Sequence, residues 1–278
     1  MKTSTNPLAS DRPEGFAIRT AKLTRRFGTL LAVNHLDLEV RYREIFGLLG
    51  ANGAGKSTMI KMLTTLLKPT SGTAEVGGFD TGKAPGSVRR RIGYVPQMLS
   101  ADGALTGYEN LRLSAKLYDL PGAESKVRIE DALRFMGLTD SAHNLVKTYS
   151  GGMIRRLELA LAMLHRPAIL FLDEPTIGLD PVARHLVWDK LLSLRSDCGM
   201  TVLITTHDME EAETLCDKLA ILCKGAISVI GKPADLRAEL GANATMNDVF
   251  AHYAGHSISD NSNYSDVAQT RRTAQRLG

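Results

Sequence analysis

The sequence predicts an α/β fold with a mostly parallel sheet, and three observations carry that expectation. Ala168 to Leu172 and Thr201 to Thr205 are short apolar runs bounded by turn or helix signals, the pattern of strands covered on both faces, and Glu44 to Leu49 reads as a further strand. Segments with helical periodicity separate these runs. Between Met98 and Arg166 strand signal nearly vanishes, and helix-period stretches such as Leu111 to Tyr118 and Ile129 to Met136 take over, which predicts a helical insert in the α/β core.

A chain of 278 residues has room for one large domain carrying such an insert. Its formal net charge of +4 is mild for that length and does not predict nucleic-acid binding. The longest apolar run, Leu159 to Leu164, is far short of the roughly 18 residues that would suggest a membrane span. The N-terminus develops no apolar signal-peptide core, so a soluble, cytoplasmic chain is expected. Cys198, Cys216 and Cys223 form no C-x-x-C pair, which suits reduced thiols that fill core or surface.

Along the chain, Leu36, Leu38 and Val40 alternate as in a half-buried strand, and Glu44 to Leu49 runs into a glycine-rich turn. A helix should follow, with Met59, Ile60, Leu63, Leu66 and Leu67 at helical spacing and Pro69 closing it. Thr214 to Ile230 reads as strand, and Pro233 as the start of a short helix. Polar, proline-containing residues 1–15 are expected to be flexible, and the Ser-, Asn- and Arg-rich tail 257–278 disordered.

The glycine-rich turn is Gly50-Ala51-Asn52-Gly53-Ala54-Gly55-Lys56-Ser57, which fits G-x-x-x-x-G-K-[ST] and sits between a predicted strand and a predicted helix. Glycines let the backbone curl so that successive N–H groups face an anion, and the helix N-terminus adds its positive dipole. Lys56 is placed to neutralise β and γ phosphates, Ser57 to offer an oxygen to Mg²⁺, and Thr58 to support the α phosphate. This much identifies a binder of nucleoside triphosphates and no more.

Asp173 and Glu174 come directly after the apolar run Ile169 to Leu172, at the strand edge where open α/β folds bind ligands. Asp173 is the candidate Mg²⁺ ligand and Glu174 the candidate general base for a water attacking the γ phosphate. Capping of the next helix is the alternative for the pair.

Tyr149-Ser150-Gly151-Gly152-Met153, followed by Ile154, Leu157, Leu161 and Leu164 at helical steps, resembles the signature motif of the ABC ATPases. The resemblance extends in order across most of the chain, through Phe27, the loop Gly50 to Thr58, Gln97, the signature, Asp173-Glu174, Gly178-Leu179-Asp180 and His207. It implies a P-loop NTPase fold: a RecA-like core with a mostly parallel sheet, an antiparallel β subdomain and the helical insert at about 98–166. The ATPase domain is expected over 16–240, with a helical extension at 241–256.

What the resemblance implies for the site follows residue by residue. Phe27 would stack on adenine, for which a flat apolar face suits, with a core phenylalanine as the alternative. Gln97 would reach Mg²⁺ and the attacking water, and His207 would contact the γ phosphate as a switch. Ser150, Gly151 and Gly152 would hold the ATP of an opposite subunit at a second helix N-terminus. Asp180 would lie across the same interface, an N-cap being the other reading and compatible with it. ATP and Mg²⁺ are therefore the expected cofactors, and a head-to-tail dimer, expected to be a homodimer, completes two sites.

Tyr149 and Met153 depart from the more usual Leu and Gln, and a thioether cannot replace an amide's hydrogen bonds. The form with Met is similar to a bacterial subgroup that includes daunorubicin-type drug-resistance ATPases. So are Leu105-Thr106-Gly107-Tyr108-Glu109-Asn110-Leu111 and Thr245-Met246-Asn247-Asp248-Val249-Phe250. That likeness implies the motor of an exporter of drugs or other hydrophobic or lipidic compounds, held at the cytoplasmic face of the cell membrane by integral permease subunits. A soluble ABC ATPase of an assembly or repair system is the alternative, although the chain has neither a second such domain nor a long coiled-coil insert. A guanine-reading N-K-x-D string is absent, which counts against a GTPase switch.

Overall fold

Two long antiparallel strands, β1 (Phe16–Phe27) and β2 (Leu30–Arg41), begin the part of the chain that the computed structural model describes, residues 15–255. Alternation in β2 puts Leu36, Leu38 and Val40 in the core. Nothing comparable marks β1 in the sequence. Its register shifts between Thr20 and Leu23, where Lys22 takes φ 47°, so an irregularity breaks the period of two and hides the strand. The expected flexible segment 1–15, apart from Gly15, lies outside the described residues, as do His256 and the tail 257–278.

Next come β3 (Ile45–Leu49), the glycine-rich loop and α1 (Lys56–Leu63). The helix is shorter than its apolar spacing predicts, and Pro69 does not close it. The Thr64 hydroxyl donates to Ile60 O at 2.8 Å, Thr65 adopts φ 65°, and the Leu67 N–H turns back to Lys61 O at 2.9 Å. Leu66 is consequently exposed. The short strands β4 (Ser71–Val76) and β5 (Phe79–Asp80) complete a four-stranded antiparallel sheet in the order β2-β1-β4-β5.

Helix α2 (Pro85–Arg91) leads into β6 (Ile92–Val95), after which the helical insert appears as α3 (Gly107–Leu117), α4 (Gly122–Met136) and α5 (Gly151–Met163). Thr106 and Glu109 form a reciprocal capping box at the start of α3. The chain then returns to β7 (Ile169–Asp173), α6 (Pro181–Cys198), β8 (Thr201–Thr206), α7 (Met209–Leu215), β9 (Lys218–Cys223) and β10 (Ala226–Gly231). Thr214 and Leu215 thus finish a helix and do not begin a strand. Helices α8 (Pro233–Leu240) and α9 (Met246–Gly255) end the described chain. Among the described residues no helix is long and apolar enough to cross a membrane.

The larger sheet has six strands in the order β10-β9-β3-β8-β7-β6, all parallel except β10. Successive residues of its central strands face opposite cores. Leu170, Leu172, Val202 and Ile204 pack with the helices of the insert, whereas Phe171, Leu203, Phe46 and Leu48 pack with α1 and the smaller sheet. Each such fully buried side chain contributes about 1.5–3 kcal/mol. Because they pair in parallel, β3, β8 and β7 place their C-terminal ends side by side. Leu49 pairs with Thr206 and Asp173 with Thr205, so the loops after three strands open at one edge.

Candidate functional site

At that edge the loop Gly50–Ser57 takes a shape that glycine permits. Gly53 and Gly55 have φ of 83° and 106°, and a Cβ on Gly55 would lie 2.5 Å from Ala32 O. Strand β2 therefore presses directly on the loop. Lys56, at the start of α1, folds its side chain back so that Nζ donates to Gly50 O at 2.6 Å. Nζ also donates to Ala51 O at 3.3 Å and lies 3.1 Å from Glu174 Oε1, with both side chains buried.

Glu174 is the hub of the cleft. Its backbone adopts φ 50°, uncommon for a residue with a side chain, and its N–H is held by Thr205 O at 3.1 Å and Thr205 Oγ1 at 3.0 Å. The carboxylate is thereby aimed outward from the end of β7. Gln97 Nε2 donates to Oε2 at 3.2 Å, and His207 Nδ1 approaches the same oxygen at 3.4 Å. Lys56, Gln97 and His207, from the ends of β3, β6 and β8, thus converge on one carboxylate at the end of β7.

Asp173 turns the other way. Its Oδ1 accepts from Ser57 Oγ at 3.0 Å and from Thr205 Oγ1 at 2.6 Å, and the residue is only 2% exposed. A buried carboxylate beside a hydroxyl offers hard oxygen donors, the chemistry Mg²⁺ takes from a protein when phosphates complete its shell. The residues fit that ion. Burial, followed by the charge of Asp173, pushes the neighbouring Tyr94 phenol up to about 12, so it stays protonated.

One cleft joins Phe27, Ala51, Asn52, Gly53, Gly55, Lys56, Ser57, Thr58, Gln97 and Glu174. Phe27 is 43% exposed with the Arg25 guanidinium 4.5 Å from its ring centroid, so it is not a core phenylalanine. Leu30, Leu31, Ala32, Lys224 and Gly225 also line the cleft and went unnoticed in the sequence. Their signal is tertiary: Gly225 N–H donates to Ala54 O at 3.0 Å, tying the turn between β9 and β10 to the loop.

Ser150, Gly151, Gly152 and Asp180 do not line this cleft. Ser150 caps α5 by accepting from Met153 N–H at 3.3 Å, and Asp180 caps α6 by accepting from Ala183 N–H at 2.9 Å. The two helix starts touch, since a Cβ on Gly152 would lie 2.7 Å from Ala183 Cβ. Tyr149 is buried, and its hydroxyl donates to Ser141 O at 2.6 Å while filling the space left by Gly107. The unusual tyrosine therefore braces the turn ahead of α5 against the start of α3.

Three buried charged residues also escaped sequence reading. Glu211 accepts from Thr176 Oγ1 at 2.6 Å and Trp188 Nε1 at 3.0 Å, and burial pushes its carboxyl up. Arg155 and Glu158 form an ion pair on α5. Arg155 and Glu158 sit inside the apolar pattern of α5, and Glu211 sits beside Glu210 in an acidic first turn, so neither setting marks a buried charge.

The family model described as ABC transporter matches residues 33–177. The chain is 44% identical over 227 residues to the daunorubicin/doxorubicin resistance ATP-binding protein DrrA of Streptomyces peucetius, covering 82% of this chain and 68% of that one. It is 38% identical over 229 residues to the linearmycin resistance ATP-binding protein LnrL of Bacillus subtilis, covering 82% of this chain and 73% of the relative. Among solved structures, a dimeric post-hydrolysis state of the ATP-binding cassette MJ0796 bound to ADP and Pi superposes with a TM-score of 0.69. The two share 27% identity, and the match covers 77% of this chain and 98% of that one.

Proposed function

The chain belongs to the ABC transporter family as an ATP-binding, ATP-hydrolysing subunit, and from that premise we propose that Glu174 is its general base and the surrounding cleft its nucleotide site. The observation that carries this reading is the convergence of Lys56, Gln97 and His207 on Glu174 beside the phosphate loop.

In this account backbone N–H groups of residues 50–57 cradle the phosphates and Lys56 neutralises them. Adenine stacks on Phe27, whose ring Arg25 supports. Ser57 and Asp173 would hold Mg²⁺, with Gln97 at hand, and the ion would supply positive charge against the phosphates. Glu174 takes a proton from the attacking water as a bond forms between its oxygen and the γ phosphorus. The bond to the β–γ bridging oxygen breaks, giving ADP and inorganic phosphate. Gln97 and His207 keep the carboxylate oriented.

Ser150, Gly151 and Gly152 present a helix N-terminus away from their own cleft, which suits an anion held by a second subunit. Two copies arranged head to tail, with Asp180 at the interface, complete two sites. Leu66 and Leu117 line a groove between the core and the insert whose wall includes Ser100, and the preceding Met98 and Leu99 are exposed, a surface for an integral permease. The protein then works at the cytoplasmic face of the cell membrane, and the resistance relatives support export of drugs or other hydrophobic compounds. Purification in detergent tests this. An integral membrane protein should co-purify and stimulate ATP turnover; recovery with soluble partners alone contradicts the transport reading.

A further inference from the structure

Arg155 and Glu158 are each only 2% exposed, yet neither belongs to the nucleotide cleft. They lie one turn apart on α5, with Arg155 Nη1 2.9 Å from Glu158 Oε2. Their other bonds all go to one short segment. Arg155 donates to Pro96 O at 2.8 Å and to Gln97 O at 3.1 Å, and Glu158 Oε1 accepts from the backbone N–H and the hydroxyl of Ser100.

An ion pair of this kind seldom adds stability over an apolar pair of similar volume, because both charges are desolvated. What it fixes here is geometry. The guanidinium grips the backbone of Pro96 and Gln97 at one end of the segment, and the carboxylate grips Ser100 at the other. Between them the Gln97 side chain reaches Glu174, while Met98 and Leu99 face outward.

We propose that Arg155 and Glu158 are positioning residues that fasten the Pro96–Ser100 segment to α5, so that helix and Gln97 move as one body relative to Glu174. Because α5 begins at Ser150-Gly151-Gly152, engagement of that helix start by the second subunit's nucleotide sets Gln97 in its own site. A permease pressing on Met98 and Leu99 moves the same body. This inference rests on the reading of Glu174 as the base and adds the part that aligns Gln97 with it.

The test compares full-length chains with and without Gln97, using MgATP. Arg155→Met should lower kcat about 10-fold or more with KM for ATP within about threefold, since misplacement by ~1 Å can cost about 10²-fold. With Gln97→Ala already present, the same substitution should lower kcat by less than about twofold, because coupled residues give non-additive losses. Equal losses in both backgrounds would overturn the proposal. If Arg155→Met fails to fold, Glu158→Gln is carried through the same comparison. Hydrogen exchange supplies a readout independent of turnover. Exchange at the Ser100 amide should accelerate at least about tenfold in the variant, with the α1 amides unchanged. An unchanged Ser100 amide refutes the clamp even if Glu174 is the base, whereas normal turnover in Glu174→Gln refutes the base and leaves the clamp standing.

Discussion

Lys56 Nζ and Glu174 Oε1 lie 3.1 Å apart with side chains only 4% and 6% exposed, which joins the phosphate loop to the end of β7 by a buried charge pair. Entering phosphates compete with Glu174 for that ammonium. Lys56 is thus both an anion ligand and the counter-charge of the base, and the two roles separate by mutation.

Lys56→Ala should weaken ATP binding and also destabilise the fold by about 2 kcal/mol or more, because Glu174 is left buried beside no cation. Adding Glu174→Gln should restore most of the stability without restoring ATP affinity. Denaturant midpoints and a nucleotide titration on the single and double variants check this. A double variant no more stable than Lys56→Ala would remove the ion pair from the account.

Gly55→Ala and Gly53→Ala should differ although both glycines have positive φ. A Cβ on Gly53 meets nothing within 4 Å, whereas one on Gly55 lies 2.5 Å from Ala32 O. Backbone strain alone costs about 1–3 kcal/mol, and Gly55→Ala adds displacement of β2 to it. Thermal unfolding should rank Gly55→Ala well below Gly53→Ala; equal midpoints would show that β2 yields freely.

His165 predicts an acid-sensitive joint between α5, α3 and β6. Its Nε2 donates to Ile92 O at 2.9 Å, its ring stacks on Tyr118 at 3.8 Å, and its Nδ1 is buried without a partner. Burial is the main cause holding its pKa below the ordinary 6.5, with a smaller contribution from Arg128. The folded state therefore favours the neutral ring. Its contribution to stability is full above the unfolded pKa and lost as pH falls through the folded value. His165→Gln keeps a donor and removes the titration, so its stability should fall less between pH 7.5 and pH 5.5. Parallel losses in both proteins would exclude His165 as the cause.

Much of the sheet is legible because its strands announce themselves physically. Ile169 to Leu172 and Thr201 to Thr205 are apolar since both faces are covered, and Gly50 and Gly55 mark a turn that side chains would block. Strand β1 is hidden by its irregularity near Lys22, and the end of α1 by Thr64 and Thr65, which override an apolar spacing that runs on to Leu67. For the site, the order of motifs indicates which residues to watch, and the structure brings Gln97, Glu174 and His207 together from three strand ends. Contacts made only in three dimensions, such as Arg155 on the Gln97 backbone or Gly225 against Ala54, have no local signature.

The assignment of Glu174 as base is tested most directly by Glu174→Gln in the full-length chain. Glutamine keeps the shape and an acceptor for Gln97 but cannot take the proton, and it removes the competitor for Lys56. ATP affinity should be equal or higher, turnover should fall by about 10²-fold or more, and ATP-bound dimers should accumulate in sedimentation. Hydrolysis near the native rate, with no trapped dimer, would contradict the account.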